Sequence, residues 1–485
     1  MTLRLTPSAL LCHLGVVSLL AGCTTVGTDY AGPPAMPATP AFARAGDLAG
    51  STQPALAQWW TALGDPALNA LVDRALQANP NLAVARARLR QARAALSGER
   101  AKRLPSGSAT LLAAHARLPS TEGNDQGADD RLALPSSLNL FSGGFDATWE
   151  IDLFGGQRRA TEAASATAEA AQANLADVRL SLSAEVAQAY VNLRATQVQI
   201  RLSEAAIARQ QRMLDLTARR VQAGTASQLD LVRLEGQLES TRAEAEPLGA
   251  QFDAYRDELA MLTGATPGAM DEQFGASNDA IATIHLPPAA VPVGDPTAML
   301  RHRPDIRAAE RTFAARTAQV GQAQAARFPR LTLMGLIGIG GTHLRDLTHL
   351  DDFSAIAAPQ LSWNVLDFGR TAASVEQAEG VRDEAEAQYR STVLAALRDA
   401  EDALSRFRQR RTSVATVARV RASADRAAQL MAARQRLGTA SLIDLLDTER
   451  QQFSAERNLA QAQAALTSDF IALHKALGLG WETPS

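Results

Sequence analysis

Few stretches of this chain carry the residue types that chemistry needs, and their spacing limits what that chemistry could be. His343, Asp346, His349, Asp351 and Asp352 crowd one segment and offer metal-binding donors. They fall between two strand-like stretches, where a polar surface loop has the same composition, so no metal is expected. Gly335, Gly338, Gly340 and Gly341 follow a strand's alternation and precede no helix, so they make no phosphate cradle. No nucleophile elbow, zinc-protease helix or P-loop occurs, and neither a cofactor nor enzymatic activity is expected. Asp444 and Asp447 are a different kind of pair. Three residues apart in a helix-forming stretch, they point to one side on successive turns. Carboxylates so placed either ring a constriction and favour cations or stabilise a helix start through its dipole.

The elements that position them occur twice. Trp149-Glu-Ile-Asp-Leu-Phe-Gly155 returns 214 residues later as Trp363-Asn-Val-Leu-Asp-Phe-Gly369. The same offset carries Gly224-Thr225-Ala226-Ser227 onto Gly438-Thr439-Ala440-Ser441, Asp230 onto Asp444, and Arg233 onto Asp447. Earlier in each copy the offset is 224, taking Pro80 to Pro304 and Arg103-Leu104-Pro105 to Arg327-Phe328-Pro329. A period this long excludes a solenoid, whose repeats run about 20–50 residues, and predicts a duplicated, pseudo-symmetric domain. Since Arg233 replaces Asp447 in the first copy, an Asp447–Arg233 ion pair is a candidate closing contact.

Residues 1–22 read as a signal peptide: Arg4 supplies positive charge, and the apolar stretch from Ala9 to Leu20 is too short for a membrane span. It ends in Leu20-Ala21-Gly22-Cys23, which resembles a bacterial lipoprotein box, so Cys23 is the expected lipidation site. Thr24 stands in place of an inner-membrane-retention aspartate and favours the outer membrane of a Gram-negative bacterium. Cys12 leaves with the signal, so a disulfide framework is excluded. A net charge of −3 gives no basic footprint for nucleic acid.

From Gln157 to Ala223 there is no Gly or Pro, and the segment is rich in strong helix formers. A continuous helix there is about 100 Å long, and Arg370 to Leu437 matches it in length with a single glycine, Gly380. Leu182, Val186, Ala189, Leu193, Thr196 and Ile200 form a heptad seam. Each long helix meets a Gly-Thr-Ala-Ser turn and returns. Phe145, Ala147, Trp149, Ile151 and Leu153 alternate with Asp146, Thr148, Glu150 and Asp152, which matches a membrane strand with a polar lumen face. Leu331, Leu333, Ile337 and Ile339 share a face in the second copy, as do Leu361, Trp363 and Val365. With a weaker candidate from Ser106, the chain has four strands. Single-chain membrane barrels start at about eight, and open edges in lipid are not tolerated, so other copies must supply the rest. Three copies give twelve.

The expected divisions follow. Residues 1–22 are the signal peptide and 23–58 a lipidated Pro-rich arm. The first repeat, 59–265, holds strands at about 106–118 and 142–154 and helices at 157–223 and 227–264. A linker, 266–296, leads to the second repeat, 297–480, with strands at 330–341 and 356–368 and helices at 370–437 and 441–477. Residues 481–485 are a tail.

Leu286-Pro287-Pro288, then Leu300-Arg301-His302-Arg303-Pro304-Asp305-Ile306-Arg307-Ala308-Ala309-Glu310, resembles the signature of the TolC-like outer membrane factors, in the lipoprotein efflux branch (OprM-like, NodT type). Arg327 to Leu333, Ala358 to Trp363, and Trp60 with Asp65-Pro66 and Asn79-Pro80 carry the same resemblance. It implies a homotrimer joining a 12-stranded barrel in outer-membrane lipid to a 12-helix periplasmic tunnel. The implied partners are a periplasmic adaptor and an inner-membrane pump of the resistance-nodulation-division type. Gly224 to Ser227 and Gly438 to Ser441 would be adaptor-docking tips; Asp444, Asp447, Asp230 and Arg233 would form the periplasmic gate. Some relatives close with a tyrosine where this chain has Gln435, so latch contacts do not carry over. An outer membrane factor for type I protein secretion fits the same residues. A lipid-anchored coiled-coil protein without a pore fits the helices but not the acidic strand faces.

Overall fold

The computed structural model describes residues 25–35, 41–48, 58–117, 137–275, 283–288, 302–348 and 353–479, with 291, 293, 296 and 351. Cys23, His349 and Asp352 lie outside the described residues.

Helices begin where the sequence supplies a cap. Asp65 Oδ1 accepts from Ala67 and Leu68 N–H, opening α1 (Pro66–Ala78) with proline at its first position. Asn79 Oδ1 does the same for α2 (Pro80–Ala101). The chain continues through β1 (Ser106–Arg117), β2 (Ser137–Ile151), α3 (Gly156–Gln222), α4 (Gln228–Leu262), α5 (Pro304–Ala325), β3 (Arg330–Gly341), β4 (Phe353–Ser362), α6 (Arg370–Arg436) and α7 (Leu442–Ala476). The long helices α3 and α6 have 67 residues each, and the return helices α4 and α7 have 35 each.

The repeat extends to individual hydrogen bonds. Trp149 Nε1 donates to Arg103 O at 3.0 Å, and Trp363 Nε1 donates to Arg327 O at 3.0 Å. Asn79 Nδ2 reaches Leu262 O, ending α4, as the Arg303 guanidinium reaches Ala476 O, ending α7. At each of these helix ends a glycine in the left-handed region, Gly264 (φ +76) or Gly478 (φ +70), lets the other segment approach. A Cβ there would lie 2.6 Å from Ala78 O or Arg303 Cγ.

The strands form one antiparallel sheet in the order β1-β2-β3-β4. Its polar face is knit by Asp146, which accepts from Ser108 Oγ at 2.7 Å and Thr110 Oγ1 at 3.1 Å. Two strands differ from the expectation at both ends. β2 starts at Ser137 and stops at Ile151, because Asp152 turns away to accept from the N–H groups of Gln157 and Arg158 at the start of α3. β4 runs Phe353–Ser362, so Trp363 and Val365 fall past its end. Their counterparts Trp149 and Ile151 stay in β2 because β3 pairs with them, at Leu333 and Leu331; β4 has a neighbour on one side only, which ends at Arg330.

The chain divides into two compact units that cut across the repeat. One takes Arg90–Glu169 and Glu310–Ala387 with the segment ending at Pro34; the other takes Ala35–Leu89, Ala170–Ala309 and Gln388–Ser485. The duplication is thus one of elements rather than of separately packed bodies. In the strand-bearing unit, Arg159 is buried and fastens the segment after Cys23. Its guanidinium donates to Val26 O, Gly27 O and Asp29, and also pairs with Glu162.

In the helical unit, Leu182, Val186, Ala189, Leu193 and Thr196 are buried and Ile200 packs on them, the face that heptad spacing picks out. They meet Trp59, Phe252, Phe407 and Phe470 in one core. Met270, Phe274, Val291 and Val293 join that core, so the stretch read as a linker packs its apolar residues. His474 lies against Trp59 and Phe470 with ring centroids 5.5 and 4.1 Å away. Burial pushes its imidazole down to about 4, against the smaller upward effect of its Nδ1 contact to Phe470 O.

Candidate functional site

Both turns between long and return helices are built alike. Gly224 takes φ +74 and Gly438 φ +72, which glycine adopts without Cβ strain. Thr225 N–H reaches back to Arg220 O at 2.8 Å, and Thr439 N–H to Arg434 O at 2.9 Å. Each threonine adds its hydroxyl to the same carbonyl at 3.1 Å. The helix ends are thereby satisfied from within, in the manner of a Schellman motif. Ser227 and Ser441 then cap the return helices. Gly224, Thr225 and Ser227 are exposed, as are Gly438, Thr439 and Ser441; Ala226 and Ala440 are half-buried.

The two tips part company one step further on. Ser227 Oγ accepts from Leu229 N–H, whereas Ser441 Oγ accepts from Asp444 N–H at 3.1 Å. Asp444 Oδ2 in turn accepts from Ser441 Oγ at 2.7 Å and Ser441 N–H at 3.3 Å, a reciprocal capping box. Asp230 occupies the matching place in α4 and makes no such box. Of the two tips, the one at Asp444 has the capping box, while Asp230 remains a first-turn carboxylate without it.

The expected Asp447–Arg233 link is not made within the chain. Asp447 accepts from Arg450 at 2.7 Å and from Gln451 at 2.8 Å, both in its own helix. Three- and four-residue spacing on one face is what brings these together, and that signal was available in Asp447-Thr-Glu-Arg450-Gln451. Comparison between repeats pointed instead to the residue that had diverged. Asp444 and Asp447 both remain exposed, with Asp447 half accessible. The tips thus offer two pre-organised, solvent-facing turns, one of them followed by two accessible carboxylates. In the strand-to-strand loop, Asp346 Oδ2 accepts from His343 N–H, and no group of three metal-ligating side chains occurs among the described residues.

The outer membrane efflux protein family model matches residues 71–265 and 296–479, once for each repeat. This chain belongs to the outer membrane efflux protein family. It is 32% identical to nodulation protein T of Rhizobium leguminosarum bv. trifolii over 96% of both chains. It is also 32% identical to the pyoverdine export outer membrane protein OpmQ of Pseudomonas putida over 98% of both. Among solved structures, the outer-membrane channel OprN superposes with a TM-score of 0.84 at 33% identity, over 94% of this chain and all of that one. The open state of the Neisseria gonorrhoeae MtrE outer membrane channel gives 0.79 at 26%, over 95% and 99%. The protein is an outer-membrane efflux channel of the TolC-like kind, with membrane strands and a large periplasmic helical part. Its family is one of channels rather than enzymes.

Proposed function

We propose that this efflux protein is the trimeric exit duct of a tripartite pump. It conducts small solutes passively, with no catalytic step. A periplasmic adaptor docks on its tips, and an inner-membrane pump of the resistance-nodulation-division type supplies the solute. Acylated Cys23 anchors each chain in outer-membrane lipid. Asp444 and Asp447, with Asp230 and Arg233 on the neighbouring tip, line the periplasmic mouth. The single observation that supports docking is that Thr225 and Thr439, in two exposed turns, make the same pair of bonds to Arg220 O and Arg434 O. Helix termination alone needs the glycine and a cap; it does not need a repeated Thr-Ala held in one geometry. Relatives named for pyoverdine export and antibiotic efflux support small solutes over secreted proteins.

Valine at Gly224 and Gly438 tests the docking role. A Cβ at either position meets no heavy atom within 4 Å, so the cost is confined to the backbone. Left-handed angles cost an L-residue about 1–2 kcal/mol, enough to reshape an exposed turn and too little to unfold the protein. The double variant should still form trimers but lose cysteine crosslinking to the adaptor and the export of a fluorescent dye. Retention of both would move docking to another surface.

A further inference from the structure

The face of the sheet that carries Asp146 changes character across its width. The pairing sets Leu336 directly across from Asp146 and Ile356 directly across from Leu336, so all three share one face with Ser108. The next rung toward the helices reads Ser106, Thr148, Met334 and Ala358. On this face β1 and β2 offer hydroxyls and a carboxylate, while β3 and β4 offer the exposed side chains of Met334, Leu336, Ile356 and Ala358. The opposite face carries Phe145, Trp149, Leu333 and Leu361, the set that suits lipid. The apolar strip therefore faces the lumen of the barrel, where a polar lining is the rule.

We propose that this strip is a resting site in the lumen for lipophilic organic cations in transit. The apolar body of the solute lies on Met334, Leu336 and Ile356, and its charge lies beside Asp146. The proposal rests on the trimeric-duct reading and names the class of solute that the duct favours.

Three observations lead to it. First, strand formation does not call for the strip. The repeat relates the pair Leu336↔Ile356 to Leu112↔Ser142, and Met334↔Ala358 to Thr110↔Gly144. The first copy thus builds the same part of its hairpin with one large apolar side chain, and the second uses three. Second, the size is right. Neighbouring strands lie about 4.8 Å apart and alternate residues about 7 Å apart, so the three side chains bound an area close to that of an aromatic ring. Third, the charge is right. Ser108 and Thr110 hydroxyls hold the Asp146 carboxylate at 2.7 and 3.1 Å, and residues directly opposite in a ladder have Cβ atoms about 4.5–5.5 Å apart, which sets it beside Leu336. The other charged side chains on this face of the four strands are Glu150, about 13 Å from Asp146 along β2, and Arg330, about 20 Å from Leu336 along β3. Two carboxylates against one guanidinium favour a cation over an anion of the same shape. Lipid cannot reach the inside of a closed barrel, so what covers the strip there is the solute.

Thiol protection in the full chain, reconstituted in liposomes, tests the site. Ala358→Cys should react with a membrane-impermeant maleimide, whereas Ala357→Cys, on the opposite face, should not. The unsubstituted protein reports any background from Cys23. Tetraphenylphosphonium should slow the labelling of Ala358→Cys roughly fivefold or more at a concentration where two controls have little effect. Tetramethylammonium has the charge without the apolar body, and tetraphenylborate has the shape with the opposite charge. Met334→Thr with Ile356→Ser, which installs the first copy's residues, should raise the protecting concentration roughly tenfold. Leu336→Thr alone should move it in the same direction. Asp146→Asn should raise it roughly fivefold and narrow the gap between the two tetraphenyl ions. Labelling of Ala357→Cys in place of Ala358→Cys, equal protection by tetramethylammonium, or protection that survives these substitutions would each overturn the site. In that event, conductance of the unmodified protein in planar bilayers leaves the duct standing. If the unmodified protein forms no channel, the duct reading fails and the site with it.

Discussion

Replacing Asp444 and Asp447 with asparagine separates charge from scaffolding at the second tip. In Asp444→Asn the side chain keeps an oxygen for the Ser441 N–H and hydroxyl, so most of the capping box survives. Alanine would lose it, at about 1 kcal/mol. Asp447 and Arg450 are 50% and 63% exposed, and a surface pair of this kind contributes only about 0.3–0.5 kcal/mol. Neither loss approaches the stability of a folded domain, so the double asparagine variant should assemble. What it removes is two carboxylates per chain. At a ring radius of about 8 Å, one carboxylate attracts a monovalent cation by about 0.5 kcal/mol in water, and three by about 1.5 kcal/mol, close to a tenfold preference. Arg450 already offsets much of Asp447, so Asp444→Asn alone should remove most of the cation preference. The double variant should go further and favour anions, because Arg450 is then left unpaired. The assay is the reversal potential of single channels in a salt gradient. The preference should also fade toward 1 M salt, where the Debye length is about 3 Å. An unchanged reversal potential at low salt would remove these aspartates from the lumen and leave Asp444 as a helix cap and Asp447 as the partner of Arg450.

His474 should make the helical unit acid-sensitive. Its folded value is depressed, so the unfolded chain binds more protons between pH 6.5 and about 4; stability present above that window is lost as pH falls through it, by up to roughly 3 kcal/mol. His474→Leu should flatten the pH dependence of the denaturation midpoint there, and equal slopes in both proteins would contradict the assignment. Arg159→Met should free the segment after Cys23, since two backbone carbonyls and Asp29 lose their donor. Amide exchange at residues 26–30 should quicken about tenfold or more, from losing hydrogen bonds worth about 1–3 kcal/mol; unchanged exchange would show that something else holds the segment.

Much of the fold was legible because its signals are local and repeated. Sixty-seven residues without a breaker, and then Gly-Thr-Ala-Ser, specify a helix, its end and its return whatever surrounds them. The heptad residues Leu182 to Thr196 marked their own buried face. What stayed hidden depended on partners. Alternation from Leu361 to Val365 reads as strand, yet β4 stops at Ser362 because strand is a property of a pair and the single chain ends the pairing there. The Pro/Gly-rich stretch after 266 looked like a linker because its apolar residues are spaced too irregularly to show a face, although Met270, Phe274, Val291 and Val293 reach the core. At the tips, the backbone geometry followed from residue types, while the choice of Arg450 over Arg233 as partner for Asp447 was decided by distance along one helix.

The differences between the two copies carry as much as their likeness. Where both copies do the same work inside the chain, as at the tryptophan-to-carbonyl bonds and the glycine-ended return helices, the hydrogen bonds coincide. They diverge where the copies face different things. Leu104 stands where the second copy has Phe328, and Phe154 O accepts from Val26 N–H while its counterpart residue Phe368 is exposed. Asp447 stands for Arg233, and of the two tips it is this one that has the capping box. Three such chains would present six tips of two alternating kinds, three carrying the capping box and the extra carboxylate and three carrying the extra arginine. A mouth of that kind has threefold rather than sixfold electrostatics. If the tips ring a common mouth, a partner that engages all six meets the shared Gly-Thr-Ala-Ser turns, and the residues that differ are where the two kinds of tip can be told apart.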